Sequence, residues 1–252
     1  MTRGRTGSTS VINELDKLNN VTALQELFIA FQNFSVETID DWYNVVPPYE
    51  YWLNNNYRKT WYAYFCKESN TDNLFAARKY LKHAEKIAEK MNSDCLGFKV
   101  LSHHFVERPY LYALIKERAY KIIYLRRNVA RQVISGMIAQ IRGHYNSLAD
   151  YIDDNQYESN ISLFKELVSW EKKCVESDLL SLAKDKDAFL TVSYEDYCDN
   201  KILFYNEMSN FLNCKLAIPL TSSTQVMLPN IEKTLKNYND VKEAAYDSGY
   251  KL

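Results

Sequence analysis

The stretch Lys121-Ile122-Ile123-Tyr124-Leu125-Arg126-Arg127-Asn128-Val129-Ala130-Arg131-Gln132-Val133-Ile134-Ser135 changes its period in the middle. Residues 121–125 are a compact apolar, β-branched run, the pattern of a strand buried on both faces of a parallel sheet. From residue 128 to 142 the apolar residues recur at helical spacing. A buried strand running directly into a helix is the repeating unit of an α/β fold with a parallel sheet. Arg127 falls at the strand's C-terminal end, where open α/β sheets bind ligands. Ser135 follows about two helical turns later, so a helix folded back beside the strand brings both to one place. The alternative is a solvated basic cluster, but cations at a helix start oppose the helix dipole, and an anion relieves that conflict.

Outward from this unit the pattern repeats. Residues 96–101 and 189–192 read as further strands, and 21–23 as a short one. Helical spacing covers residues 10–18, 25–34, 72–91, 111–117, 161–184, 201–212 and 231–245, and Ser35 suits the N-cap of a helix running to Tyr43. The aromatic-rich stretch 49–67 reads as mostly helical. The expected architecture is α/β with a mostly parallel central sheet. The 252 residues are expected to form a single domain, residues 1–252, with a helical aromatic-rich insertion at about 35–92.

Composition excludes several classes. The 31 basic and 32 acidic residues leave a net charge of -1, which argues against a general nucleic-acid or anionic-membrane binder. The five cysteines are odd in number and widely spaced, as expected of reduced thiols in a cytoplasmic chain. The four histidines show no metal-ligand spacing, so no metal is expected. No stretch approaches the ~20 apolar residues of a membrane span, and no charged-then-apolar signal peptide is evident.

A second anion motif stands near the start: Gly4-Arg5-Thr6-Gly7-Ser8-Thr9-Ser10, followed at once by helical spacing. Gly7 permits a tight turn and close approach to an anion, and successive backbone N–H groups with a helix start form an anion nest. Ser8, Thr9 and Ser10 add hydroxyls, and Arg5 adds a planar, permanently charged fork. Ser8 stands where a Walker A loop needs lysine. The alternative is a Ser/Thr/Gly-rich helix cap. Only Met1 to Arg3 remain for the strand that feeds this loop, so the first strand is expected to be very short or truncated.

Together the two segments resemble the phosphate-binding motifs of the sulfotransferase family. Residues 4–10 are similar to its 5′-phosphosulfate loop in the form R-[ST]-G-[ST]-T, and Arg127 with Ser135 is similar to its 3′-phosphate motif. Ser193-Tyr194-Glu195-Asp196 resembles its Y-E-[DN] segment, whose tyrosine lies near the nucleotide, and Thr221-Ser222-Ser223 resembles a later nucleotide-contacting loop. Within the family the chain resembles the bacterial carbohydrate and protein-tyrosine branch. No Arg-Lys-Gly stands near the C-terminus, which some cytosolic members use on the 3′-phosphate.

The resemblance implies a three-layer, P-loop-type sandwich and transfer of a sulfonate from 3′-phosphoadenosine 5′-phosphosulfate to a hydroxyl, without a metal. It implies donor contacts from Arg5, Thr6, Gly7, Ser8, Thr9, Ser10, Arg127, Ser135, Tyr194 and Thr221. Arg5 and Lys99 would stabilise the moving sulfonate; the alternative for Lys99 is a strand lysine whose stem packs in the core. Glu26 resembles the base of the protein-tyrosine branch, against the alternative of an exposed glutamate in a helix's first turn. His104 and His103 are the other candidates for the base, by position relative to Lys99. A glycan or small-molecule acceptor is expected, with carbohydrate ahead because ten aromatics lie between Trp42 and Phe65. No nucleic-acid partner is expected, and no oligomeric state is assigned. Two other classes fit less well: a kinase-like phosphotransferase, which needs the missing loop lysine, and a non-catalytic nucleotide-binding protein.

Overall fold

The computed structural model describes residues 1–29, 45–57, 74–143, 155–217 and 230–252. In chain order, α1 (Ser8–Leu15) leads to β1 (Val21–Glu26), then α2 (Tyr49–Trp52) and a π-turn, Leu53–Tyr57. Next come α3 (Leu74–Lys90), β2 (Cys95–Lys99), α4 (Ser102–Glu107) and α5 (Tyr110–Glu117). The strand-to-helix unit at 121–142 follows as β3 (Ile122–Arg126) and α6 (Val129–Arg142). The long α7 (Ile161–Leu182) passes through a 3₁₀ turn, Ala183–Ala188, into β4 (Phe189–Ser193). The chain closes with α8 (Tyr194–Asp199), α9 (Lys201–Leu212), α10 (Ile231–Thr234) and α11 (Tyr238–Asp247).

All strand pairs are parallel. Val21 lies opposite Cys95 and Glu26 opposite Lys99, with a shift in register between Leu24 and Glu26. Ile122 lies opposite Phe189, and Arg126 opposite Ser193. The two pairs meet at Thr2, which bridges Leu101 on one side and Leu125 on the other. Its N–H donates to Val100 O at 3.0 Å, its carbonyl accepts from Ser102 N at 2.9 Å, and Leu125 N donates to Met1 O at 3.0 Å. Thr2, which leads into the Gly4 loop, thus stands between the two pairs, and the order runs β1, β2, Thr2, β3, β4.

Alternation along the strands sends successive side chains to opposite faces. Leu24, Ile122 and Tyr124 enter a core with α3, α5 and the end of α7, while Val21, Ala23, Ile123 and Leu125 enter a second core with α1, α8 and α9. Three layers result: helices, sheet, helices. A third cluster joins α6, α7, α10 and α11.

Several helix starts follow from one residue type. The side chains of Asn128, Asn160, Asn200 and Asn230 each accept from the backbone N–H three residues on, satisfying an amide the helix cannot. Ser193 does the same for Asp196 at 3.0 Å.

The expected helix at 25–34 does not begin there. Gln25 and Glu26 complete β1, because Val21–Gln25 is buried throughout and a strand buried on both faces shows no alternation. The remainder of that helix, the Ser35-to-Tyr43 helix and the last part of 49–67 fall mainly outside the described residues. The expected helix at 231–245 is two helices, broken where Leu235 bridges Tyr157. Helices α4 and α8, six residues each, are too short to show a period.

Candidate active site

Parallel strands deliver their C-terminal ends to one edge, and the candidate residues gather there. Thr2 leads into the Gly4 loop, Glu26 ends β1, Lys99 ends β2, Arg127 follows β3, and Tyr194 follows β4. Arg5 and Gly7 both have left-handed backbones, with φ of 64° and 82°. A Cβ on Gly7 would lie 2.1 Å from Tyr194 Cε2, so both the backbone angle and the tyrosine ring demand glycine. Ser10 N and Val11 N then turn back onto Gly7 O and open α1.

Arg127, Ser135 and Arg5 form one cluster. Arg5 donates to Ser135 Oγ at 3.2 Å, and Arg127 donates to the Arg5 carbonyl at 3.1 Å. The Arg127 guanidinium lies over the Tyr194 ring, 4.9 Å from its centroid. Arg127 Nε is buried and has no hydrogen-bond partner among the described residues. Burial lowers the Arg127 pKa from the usual arginine value, against the opposing pull of Tyr194 and Glu195. Burial likewise pushes the Tyr194 phenol up to about 12, so it stays a neutral hydroxyl.

At the other side of the loop, Lys99 Nζ lies 2.6 Å from Glu26 Oε1 and donates to Thr9 Oγ1 at 3.2 Å. The shift in register between Leu24 and Glu26 sets Glu26 opposite Lys99. Glu26 is thus a strand-end residue, not a residue of a helix's first turn. The Lys99 side chain is only 9% exposed, and its ammonium is ion-paired rather than reaching to solvent.

Other candidates fall differently. Thr6 is buried, and its hydroxyl bonds to the Thr2 hydroxyl and to Arg3 O, so it braces the loop from inside. Thr2 Oγ1 in turn donates to Leu125 O at 3.0 Å. Ser8 and Ser10 stand in the first turn of α1. His104 is buried at the start of α4, its Nδ1 accepting from Leu101 N at 3.4 Å, while His103 is exposed. Burial, with His103, Arg108 and Lys99 nearby, drops the His104 pKa to about 3, so the ring is neutral at pH 7. Thr221 lies outside the described residues. Tyr49 and Trp52 pack with Phe28 and Tyr80 in the core, which removes Tyr49 from any acceptor surface; Tyr51 is half-buried.

Three residues behind the loop were not singled out by sequence: Arg3, Gln132 and Glu171. Gln132 Nε2 donates to Gly4 O at 2.7 Å and to Glu171 Oε1 at 2.8 Å, and Arg3 Nε donates to the same oxygen at 3.0 Å. One signal was present. Residues 164, 168, 171 and 175 share a face of α7, so Glu171 interrupts an inward apolar stripe.

A cavity of about 420 Å³ lies between β2 and β3 behind Thr2, lined mainly by apolar residues including Val11, Phe98, Ile123 and Met208. It is a gap between two strands that share no ladder, and its lining also includes Ser8, Lys99 and Lys121. The charged edge is the candidate site.

The arrangement can hold two anionic groups, one beside Arg127 and Ser135 and one over the loop, with an ammonium and a carboxylate adjoining the second. No curated protein sequence matches the chain. Among solved structures it is similar to a sulfotransferase domain from the curacin biosynthetic pathway, with TM-score 0.47 and 11% identity, covering 92% of this chain and 80% of that one. A likeness so distant carries no argument. The model of the sulfotransferase family, in contrast, matches residues 3–242, which include the Gly4 loop, Glu26, Lys99, Arg127, Ser135 and Tyr194, and the chain therefore belongs to that family.

Proposed function

We propose that this sulfotransferase takes its sulfonate from 3′-phosphoadenosine 5′-phosphosulfate and passes it to a hydroxyl of its acceptor. The observation that carries the reading is the buried Arg127 Nε without a hydrogen-bond partner among the described residues, set over Tyr194 and joined to Ser135 through Arg5. A buried guanidinium nitrogen left unpaired is costly, and a phosphate oxygen satisfies it. The Gly7 turn supports the same reading, since its left-handed backbone opens a nest of N–H groups at the start of α1.

The donor supplies an activated sulfonate; the chain supplies position and charge. Arg127 and Ser135 hold the 3′-phosphate. The loop amides and the hydroxyls of Ser8 to Ser10 hold the 5′ end, and Tyr194 packs beside it. Lys99 offsets the negative charge that develops on the bridging oxygen and the sulfonate as the acceptor oxygen bonds to sulfur and the sulfur–oxygen bond to the donor breaks, and Arg5, whose guanidinium donates to Ser135 Oγ at 3.2 Å on the far side of the loop, must swing from that contact to share the task. Glu26 takes the acceptor proton. The products are the sulfated acceptor and adenosine 3′,5′-bisphosphate. A glycan is the first acceptor class to try, on the strength of the aromatic and asparagine-rich stretch 42–65 with Tyr49 and Trp52 set aside as core.

The test is calorimetry with two nucleotides beside a labelled-sulfonate transfer assay. Arg127→Ala and Ser135→Ala should each weaken adenosine 3′,5′-bisphosphate binding by about tenfold or more, the scale of a charge-assisted bond. Adenosine 5′-phosphosulfate, which lacks the 3′-phosphate, should bind both variants as it binds the wild type. Equal losses for both nucleotides would show that Arg127 and Ser135 only support the fold.

A further inference from the structure

The loop that faces the donor is held from behind, and the holding residues have no part in the reading above. Glu171, in the middle of α7, is buried. Its Oε1 accepts from Arg3 Nε at 3.0 Å and from Gln132 Nε2 at 2.8 Å, and its Oε2 accepts from Arg3 at 3.2 Å. Gln132 spends its second N–H on the Gly4 carbonyl at 2.7 Å. The Arg3 guanidinium is flanked by the Trp170 ring, 5.3 Å from its centroid. One carboxylate thus gathers the residue before the loop and, through Gln132, the loop's first carbonyl.

Peptide planarity turns this grip into orientation. In a trans peptide the N–H of a residue points opposite the carbonyl of the residue before it. Fixing Gly4 O toward α6 therefore fixes the direction of Arg5 N–H, and fixing Arg5 O on Arg127 fixes that of Thr6 N–H. Arg5 and Gly7 hold left-handed backbones that a free chain would leave readily, so the loop needs such external ties.

The geometry points to Glu171 as a positioning residue for the anion-binding loop: with Gln132 and Arg3 it sets the direction of the loop amides from behind, without touching the donor. This rests on the sulfonate-transfer reading only for its effect on rate. The role of Glu171 differs from that of Asp178, two turns along α7, which accepts from Ser102 Oγ at 2.6 Å and Tyr124 OH at 3.0 Å and so ties down the sheet, not the loop. Gln at position 171 keeps the shape of the side chain but has one acceptor oxygen, so it cannot take all three bonds.

The experiment follows amide hydrogen exchange, thermal stability and steady-state kinetics in Glu171→Gln, with Glu166→Gln on the exposed face of α7 as control. Exchange at Ser10 and Val11, whose N–H groups donate to Gly7 O, should quicken selectively by about tenfold or more while α6 and α7 keep their protection. The kcat should fall by about 10- to 100-fold, the scale of a small misplacement, with acceptor KM unchanged. Arg3→Met added to Glu171→Gln should cost little more than Glu171→Gln alone, because the two share one tie. Unchanged loop exchange overturns the proposal. So does loosening spread evenly over α6, α7 and the sheet, which marks a purely structural role. If Glu171→Gln does not fold, Gln132→Met cuts the link to Gly4 O and decides the same question. Wild-type protein that moves no sulfonate ends the transfer reading, while the exchange measurement still decides the role of Glu171.

Discussion

Lys99 has two partners at the edge of the sheet. It is ion-paired to Glu26 and donates to Thr9, so one ammonium links the carboxylate at the end of β1 to the start of α1. Glu26→Gln keeps the side chain's size and cannot take a proton. The expected result is donor affinity near wild type by calorimetry and a kcat lower by about 10²–10⁴-fold. Near-normal turnover would move the proton to another group. His104 is poorly placed for that role, being buried with its Nδ1 engaged by Leu101 N. Its effect should be on stability. The folded pKa, about 3, lies below the ordinary value of 6.5, so the unfolded chain binds the extra proton first. The stabilisation is therefore complete above pH 6.5 and is lost as pH falls through the interval down to about 3. His104→Asn, which keeps an acceptor for Leu101 N, should flatten that part of the urea-midpoint profile relative to wild type. Parallel profiles would mean that His104 is not buried neutral.

The loop from Gly4 to Ser10 is held on every side by a different element. Its amides are offered at the start of α1, its carbonyls go to α6 and to Arg127, and Tyr194 closes over Gly7. Gly7→Ala should cost about 1–2 kcal/mol for the left-handed backbone alone, plus the displacement of Tyr194 from above the turn. Thermal melting should show the stability loss, and adenosine 3′,5′-bisphosphate should bind more weakly as Tyr194 and the Arg127 above it shift. A variant that melts earlier yet binds the nucleotide normally would separate Tyr194 from the site. Much of this was legible. Arg127, Ser135, Tyr194 and the loop were readable because strand-to-helix junctions reveal themselves by a change of period, and strand ends converge on one edge of a parallel sheet. Glu26 was expected in a helix and instead ends β1, because a strand buried on both faces shows no alternation. Glu171 showed as a charge in an apolar stripe, but its partners are 168 and 39 residues away, and no local pattern encodes a pairing at that range.

Across the whole molecule, two apolar cores lie on opposite faces of a sheet whose halves are joined at Thr2. Arg127 and Tyr194 follow the strands of one half, Glu26 and Lys99 end the strands of the other, and the loop rises between them. A ligand that engages both sides stabilises the assembled sheet by mass action. Adenosine 3′,5′-bisphosphate at about 100 times its Kd should add about 2.7 kcal/mol, which for a chain of this size raises Tm by about 5–10 °C. At the same nucleotide concentration, Arg127→Ala should lose most of that rise. A full shift in the variant would place the nucleotide elsewhere. Thr2 makes the dependence run the other way as well. Its backbone bonds to both halves, and its hydroxyl bonds to Leu125 O and to Thr6 inside the loop. A slip between the halves thus reaches the anion cradle within four residues. The molecule carries the proposed transfer site on its own keystone, so a first parting of the sheet should disturb that site while each half is still packed against its helices.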